Sequence, residues 1–145
     1  MNLRNWFDAT FAGRTDEIGL EWAGSEYTFG EIDARSNRMA RALLARGLVK
    51  GDRLCVYLAN CIEMIDLYLA CVKLGIIFVP INILYRDREM SHILSDAEPK
   101  LLISAAELPA LLKEAAGLSG EALPDSGLSQ DDAASLVYTS GTTGV

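Results

Sequence analysis

Short apolar runs alternate along this chain with longer segments whose apolar residues recur every three or four positions. The runs have the length of buried strands, and the longer segments have the period of amphipathic helices. Strands are predicted over Ile18–Trp22 and Glu26–Thr28 as a hairpin, then over Arg53–Ala59, Ile76–Ile81, Lys100–Ser104 and Ala134–Tyr138. After a mobile or short helical start at Asn5–Ala12, helices are predicted over Thr28–Gly47, Cys61–Leu74, Asp87–Ala97 and Ala105–Ala116. This alternation predicts an α/β fold with a mainly parallel sheet and helices on both faces.

Polar residues and glycines mark the ends of the predicted helices. Thr28 with Glu31 three residues later matches a capping box, in which each side chain bonds the other's free backbone N–H. Asn60 and Asp87 are expected to cap two further helices, and Gly75 is expected to end one. Between the last helix and the last strand, residues 117–133 are rich in Gly, Ser, Asp and Pro, which predicts a surface linker.

The charges on two of the helices predict solvated faces. Glu63, Asp66 and Lys73 share one narrow stripe of the Cys61–Leu74 helix. We interpret Glu63 and Asp66 as solvent-facing residues, in preference to a metal or acid/base site. The basic cluster of the preceding helix is interpreted in the same way; it consists of Arg35, Arg38, Arg41 and Arg46.

Composition indicates a globular chain and argues against a polyanionic partner. Of the 145 residues, 50% are apolar and 23% are charged. The net charge of −7 disfavours nucleic acid and anionic membrane surfaces, which require a basic face. The longest apolar region, Ile62–Leu84, is interrupted by charges and a proline, so no membrane span is predicted. Without a signal peptide, and with three cysteines that form no C-x-x-C pair, the expected location is cytoplasmic.

The final residues, Tyr138 to Val145, contain the strongest chemical signal. Hydroxyl side chains at Thr139, Ser140, Thr142 and Thr143 can donate to phosphate oxygens. Gly141 and Gly144 allow the backbone conformations that turn successive N–H groups toward one anion. A phosphate-binding loop and a plain polar turn are both compatible with this composition. A Walker loop is excluded because the Gly-Lys-Ser/Thr ending is absent.

Segments in the same order along the whole chain give these residues a family context. Tyr138 to Gly144 resembles the phosphate-loop signature of the adenylate-forming enzymes, which include acyl-CoA synthetases and the adenylation domains of peptide synthetases. Further segments resemble that family's N-terminal pattern: 27–32, 51–53, Asn60, 73–75, 79–82 and 96–100. The resemblance covers the chain from about residue 18 to its end.

The resemblance implies two-step chemistry with ATP, Mg²⁺ and coenzyme A. A carboxylate attacks the α-phosphate of ATP, expels pyrophosphate and forms an acyl adenylate, from which a thiol then displaces AMP. By resemblance, residues 139–144 bind and orient the nucleotide phosphates, and the sequence offers no catalytic residue and no metal ligand. The Gly-Thr-Thr-Gly run and the Pro80-Ile81-Asn82 ending look more like acyl-CoA synthetases than peptide-synthetase domains.

The family signature normally continues into Pro-Lys-Gly, whereas Val145 is the last residue here. We therefore expect residues 1–145 to form a truncated, partial N-terminal domain that catalyses nothing measurable alone. Exposed sheet edges would favour self-association or pairing with the missing remainder. Two alternatives remain open: a non-catalytic nucleotide- or anion-binding α/β module, and one chain of a split enzyme.

Three further residues invite a functional reading. Histidine is a common general base, and His92 is the single histidine of this sequence, but a structural or surface role is favoured. Asp131 and Asp132 resemble a magnesium site only superficially, and we expect them to keep the linker solvated.

Overall fold

The computed structural model describes residues 1–139, which form ten helices and strands. They are α1 (Leu3–Phe11), β1 (Ile18–Trp22), β2 (Ser25–Thr28), α2 (Phe29–Ala45), β3 (Arg53–Tyr57), α3 (Ile62–Leu74), β4 (Ile77–Pro80), α4 (Asp87–Ala97), β5 (Leu101–Ser104) and α5 (Leu108–Ala116). The predicted order of helices and strands is confirmed up to α5.

A parallel sheet with the strand order β4-β3-β5 forms the centre of the molecule, and β1 and β2 form a separate antiparallel hairpin. Successive residues of a strand face opposite sides of the sheet. On β3, Leu54 and Val56 pack into one core with α2, α3 and α5. Cys55, between them, packs into a second core with Ile93 and Ala97 of α4. The predicted α/β fold, with helices on both faces of a parallel sheet, is confirmed.

Beyond β4, the chain returns to the sheet at residues 134–136. Phe78 and Ser135 form a single parallel bridge: the Phe78 N–H donates to Ala134 O at 3.0 Å, and the Leu136 N–H donates to Phe78 O at 3.0 Å. The predicted strand over 134–138 is therefore too long. Pro80, the next residue of β4 that faces this segment, has no N–H to donate, so the ladder stops.

Two residues of the charged stripe of α3, Asp66 and Lys73, are buried against α2, so their interpretation as a solvated face is wrong, whereas Glu63 is only half-buried. Asp66 is 3% exposed and accepts from Arg35, with Nη2 2.8 Å from Oδ2 and Nε within 3.2 Å of both oxygens. Lys73 is 5% exposed and donates to Asp33 Oδ1 at 2.6 Å. The same Nζ also donates to two buried side chains of α2, Ser36 and Asn37, each at 2.7 Å. Helical period alone does not reveal that the stripe meets complementary groups on another helix.

Arginines that were expected to face solvent attach the linker and α5 to the molecule. The Arg41 Nη1 atom donates to Ser119 O at 2.8 Å and to Glu121 O at 2.6 Å. Arg4 of α1, which is not a member of that cluster, makes a similar pair of bonds, to Leu123 O at 2.7 Å and to Pro124 O at 2.9 Å. A further cluster member, Arg46, forms an ion pair with Glu114 at 2.7 Å. Residues 117–133 form no helix or strand, and these bonds fix their path across the surface.

Three helix starts differ in detail from the predicted caps. The Thr28 hydroxyl accepts from the Glu31 N–H at 3.0 Å, but the carboxylate of Glu31 contacts that hydroxyl and not the Thr28 N–H, so half of the capping box forms. Cys61, not Asn60, precedes α3. The residue before α4 is Arg86, whose N–H donates to Glu89 Oε2 at 3.1 Å. Gly75 ends α3 at φ 72°, as predicted. Within residues 1–139, no helix is both long and apolar enough to cross a membrane.

Candidate functional site

The carboxyl ends of the parallel strands meet at one edge of the sheet. The strands β3, β4 and β5 end there at Tyr57, Pro80 and Ser104. Because the Ser135 bridge is also parallel, residues 136–139 run toward the same edge. In open α/β sheets this edge is where ligands bind. The sheet thus delivers Thr139, an exposed residue, to the expected place.

Thr139 is the only predicted phosphate-binding residue within the described part of the chain. Ser140, Gly141, Thr142, Thr143 and Gly144 lie outside the described residues, and their role in phosphate binding stays a prediction. What the structure establishes is the position and the attachment of the segment that leads to them.

Tyr138 attaches this segment to α4. Its hydroxyl forms a hydrogen bond with Asp96 Oδ2, and its ring meets the imidazole of His92 edge-to-face, with centroids 6.2 Å apart. The ring also packs against the core beneath α4. Burial, followed by the bond to Asp96, raises the pKa of Tyr138 to about 12, so the phenol keeps its proton and acts as the donor. His92 is exposed, in line with the predicted surface role, but it lies beside the final segment.

The loop after β4 forms another part of the same edge. The Tyr57 hydroxyl lies 2.9 Å from Ile83 O and 2.7 Å from Tyr85 O, which fixes the loop above the end of β3. Asn82 Oδ1 accepts from the Leu84 N–H at 2.9 Å. The side chains of Ile83 and Leu84 remain exposed, at 42% and 73%. They give the loop after β4 an exposed apolar surface.

None of the three cysteines has the lowered pKa of a reactive thiol. Burial raises the pKa of Cys55 to about 11 and that of Cys71 further still. The pKa of Cys61, which is partly exposed, is also raised by burial. A thiol with a raised pKa is protonated near neutrality and therefore a poor nucleophile.

Metal ligation finds no support in the described residues. Residues 1–139 bring together no group of three or more His, Cys, Asp or Glu side chains that could hold a metal ion. Asp132 instead forms an ion pair with Lys50 at 3.0 Å and accepts from the Ser129 N–H at 2.6 Å.

Two concave surfaces lie away from this edge. One is a small cavity beside α1, lined by residues of α1, of the end of α3 and of the 128–134 segment. The other is an open groove beside the hairpin, lined in part by Tyr27, Arg35 and Arg38. Neither is lined by residues 135–139, so we place the candidate site at the sheet edge and not in these depressions.

Sequence reasoning missed the partners of Tyr138. The segment 96–100 was singled out for its family resemblance, without a role for Asp96. A signal was available, because His92 and Asp96 are four residues apart on a helix and so share one face. What that face contacts depends on where the segment of Tyr138 lies, which the sequence does not state.

Comparison with known proteins gives a consistent family match. A sequence model described as AMP-binding enzyme matches residues 7–145. The acyl-CoA ligase SID4 of Ajellomyces capsulatus is 37% identical over 87 residues, which are 60% of this chain and 15% of that protein. Surfactin synthase subunit 2 of Bacillus subtilis is 29% identical over 95% of this chain and 4% of that protein.

Solved structures agree with the sheet and helix arrangement. The N-terminal domain of FACL13 from Mycobacterium tuberculosis has a TM-score of 0.87 at 27% identity, covering 99% of this chain and 42% of that one. ATP-bound MatB from Rhodopseudomonas palustris has a TM-score of 0.81 at 31% identity, covering 99% of this chain and 33% of that one. The chain therefore spans less than half the length of each of these four proteins.

Proposed function

The chain belongs to the AMP-binding enzyme family, and we propose that it supplies part of the nucleotide site of an ATP-dependent acyl-CoA synthetase. In this reaction a substrate carboxylate oxygen attacks the α-phosphorus of ATP, and the bond to the pyrophosphate oxygen breaks. The acyl adenylate then passes its acyl group to the sulfur of coenzyme A, and AMP leaves. The acid itself is left unassigned.

One observation carries this proposal: residues 136–139, which precede the hydroxyl- and glycine-rich residues 140–144 in the sequence, run toward the carboxyl edge of a parallel sheet. Residues 134–136 bridge to β4, and Thr139 follows at the ligand-binding edge. The hydroxyls and backbone N–H groups of residues 139–144 would hold the β- and γ-phosphates and stabilise the charge that develops on the leaving pyrophosphate. These residues bind and orient, and none is a nucleophile. MatB, a solved relative, has been captured with ATP bound, which supports nucleotide as the ligand class.

Transfer to coenzyme A is the finer part of the proposal. It is supported by the Gly141-Thr142-Thr143-Gly144 run and by the Pro80-Ile81-Asn82 ending, both of which look more like acyl-CoA synthetases. The similarity to the acyl-CoA ligase SID4 supports it as well. A peptide-synthetase adenylation domain is the second candidate, because the similarity to a surfactin synthase subunit extends over 95% of the chain.

A graft tests the nucleotide role. Residues 1–145 would replace the matching third of MatB, and acid-dependent exchange of pyrophosphate into ATP would be measured. We expect exchange in the graft, and a loss of about 100-fold when Thr142 and Thr143 are both changed to Ala, since one lost donor to developing charge costs this much in other enzymes. Ser95→Ala, a change on an exposed face of α4, is the control. A folded graft that shows no exchange with any acid would contradict the proposal.

The acceptor needs a separate measurement, because the graft takes its thiol site from MatB. In a longer protein that contains this chain, formation of a free coenzyme A thioester would support the synthetase. Transfer only to the phosphopantetheine thiol of a carrier protein would support the adenylation domain. Saturable ATP binding by the 145-residue chain alone, with no exchange in the graft, would favour a non-catalytic nucleotide-binding module.

A further inference from the structure

The final described segment is held to the sheet by very few bonds. Its backbone bonds to β4 are the two that involve Phe78, and the lack of an N–H on Pro80 prevents the next one. Leu136 and Val137 are 37% and 62% exposed, and neither belongs to one of the two buried cores. The backbone alone therefore leaves the direction of residues 137–139 weakly determined.

The side chain of Tyr138 supplies the missing attachment. Its hydroxyl donates to Asp96, its ring contacts His92 edge-to-face, and its face packs on the core that contains Ile93 and Ala97. His92 and Asp96 are one helical turn apart, so both present the same face of α4 to Tyr138. A hydrogen bond to a carboxylate is about twice as strong as one between neutral groups. The bond to Asp96, an exposed residue of α4, is thus the side-chain hydrogen bond that attaches this segment beyond the Phe78 bridge.

We propose that Asp96 is a positioning residue, which holds Tyr138 and thereby sets the direction in which the chain leaves the sheet toward residues 139–144. We call the contact among His92, Asp96 and Tyr138 the α4 latch. Its effect on nucleotide binding rests on the proposed function, whereas its effect on the segment does not. The latch lies at the residue immediately before Thr139, so a small rotation of Tyr138 displaces Thr139.

Hydrogen exchange on the 145-residue chain tests the latch directly. The Leu136 amide, which donates to Phe78 O, reports on the attachment of the segment. We expect Asp96→Ala and Tyr138→Phe each to speed its exchange about tenfold, as the loss of one charge-assisted bond would do. The double variant should be no faster than either single variant, because both changes remove the same bond.

Conservative and control variants separate positioning from general damage. Asp96→Asn keeps an oxygen that can accept from the Tyr138 hydroxyl, so it should restore most of the protection that Asp96→Ala removes. Ser95→Ala, at the neighbouring exposed position of α4, should leave exchange unchanged. The proposal is overturned if Asp96→Ala resembles Ser95→Ala. It is also overturned if exchange rises equally at Leu54 and Val56 of β3, since that would be general destabilisation.

The nucleotide arm uses the MatB graft described above. Asp96→Ala should raise the KM for ATP about tenfold, Asp96→Asn should return it close to the unmodified value, and kcat should change less than KM. If the amides respond as expected and the KM for ATP does not change, the latch positions the segment and its role in nucleotide binding is refuted. If the unmodified graft shows no activity, the proposed function fails, and hydrogen exchange still decides whether the latch exists.

Discussion

The bond between Arg35 and Asp66 predicts an asymmetric response to mutation. The Asp66 side chain is 4% exposed and the Arg35 side chain is 33% exposed. Arg35→Ala would leave a carboxylate buried without its partner. Asp66→Ala would leave a guanidinium that can turn to water and that still lies over the Tyr27 ring at 5.4 Å. We therefore expect Arg35→Ala to be the more destabilising change.

The magnitude follows from the burial of the group left behind. Removing one partner of a buried ion pair costs about 3–5 kcal/mol, because the remaining charge cannot regain its water. We expect a loss near the lower end of that range for Arg35→Ala. For Asp66→Ala, where the remaining charge is partly solvated, we expect a loss of about 1–2 kcal/mol. Against a typical stability of about 5–15 kcal/mol, both changes are measurable.

The loss of stability in Arg35→Ala should also depend on pH, and the pKa of Asp66 determines in which direction. Burial raises the pKa of Asp66, and the bonds and charge of Arg35 oppose that rise. Burial alone would lower the pKa of Arg35, but the hydrogen bond and the charge of Asp66 outweigh burial and raise this pKa. Burial prevails for Asp66 and not for Arg35 because Asp66 is the more deeply buried of the two side chains. In Arg35→Ala, the pKa of Asp66 should rise further. The folded protein then holds the proton more tightly than the unfolded chain, so the loss of stability shrinks as the pH falls toward about 4, the ordinary pKa of a carboxyl group.

Urea unfolding of the two single variants and the double variant measures these losses. We expect Arg35→Ala to unfold at the lowest urea concentration at neutral pH, and to recover toward the unmodified protein as the pH is lowered. The double variant should lose less than the sum of the two single variants. Losses below about 0.5 kcal/mol in both single variants would refute the reasoning, because that is the response of exposed residues.

Two further predictions concern the thiols and the end of α3. A disulfide reagent should modify the partly exposed Cys61 first, and should reach the buried Cys55 and Cys71 only when urea unfolds the chain; immediate modification of all three would contradict their burial. Gly75→Ala should cost about 2 kcal/mol in urea unfolding, because φ is 72° and the new Cβ would lie 2.6 Å from a methyl carbon of Leu128. Gly127→Ala, with φ 66° and open space around the Cβ, is the matched control and should cost about 1 kcal/mol; equal losses would show that the close approach has no effect.

Local patterns predicted the elements because their causes are local. The β-branched and apolar run of β4 and the glycine that ends α3 act within a few residues of chain, and both appear where expected. The Thr28 hydroxyl likewise receives the predicted bond from Glu31, although the reciprocal bond does not form. The strand predicted over 134–138 failed for a non-local reason, since its length depends on Pro80 in a different strand.

For the segment after residue 133, the sequence and the tertiary structure each supplied a different part of the description. Its residue types, and their order after an apolar run, indicated a phosphate-binding loop and gave the family resemblance, and the family is confirmed by the match over residues 7–145. Only the tertiary structure showed that the segment bridges to β4 and that Tyr138 contacts Asp96 and His92 on α4. The same holds for Asp66 and Lys73 of the α3 stripe, whose charges are paired and not solvated. Sequence determines which groups a chain carries and how they repeat along a helix or strand. The partners those groups meet are decided by packing between segments far apart in the chain, which sets whether a charge is solvated or paired.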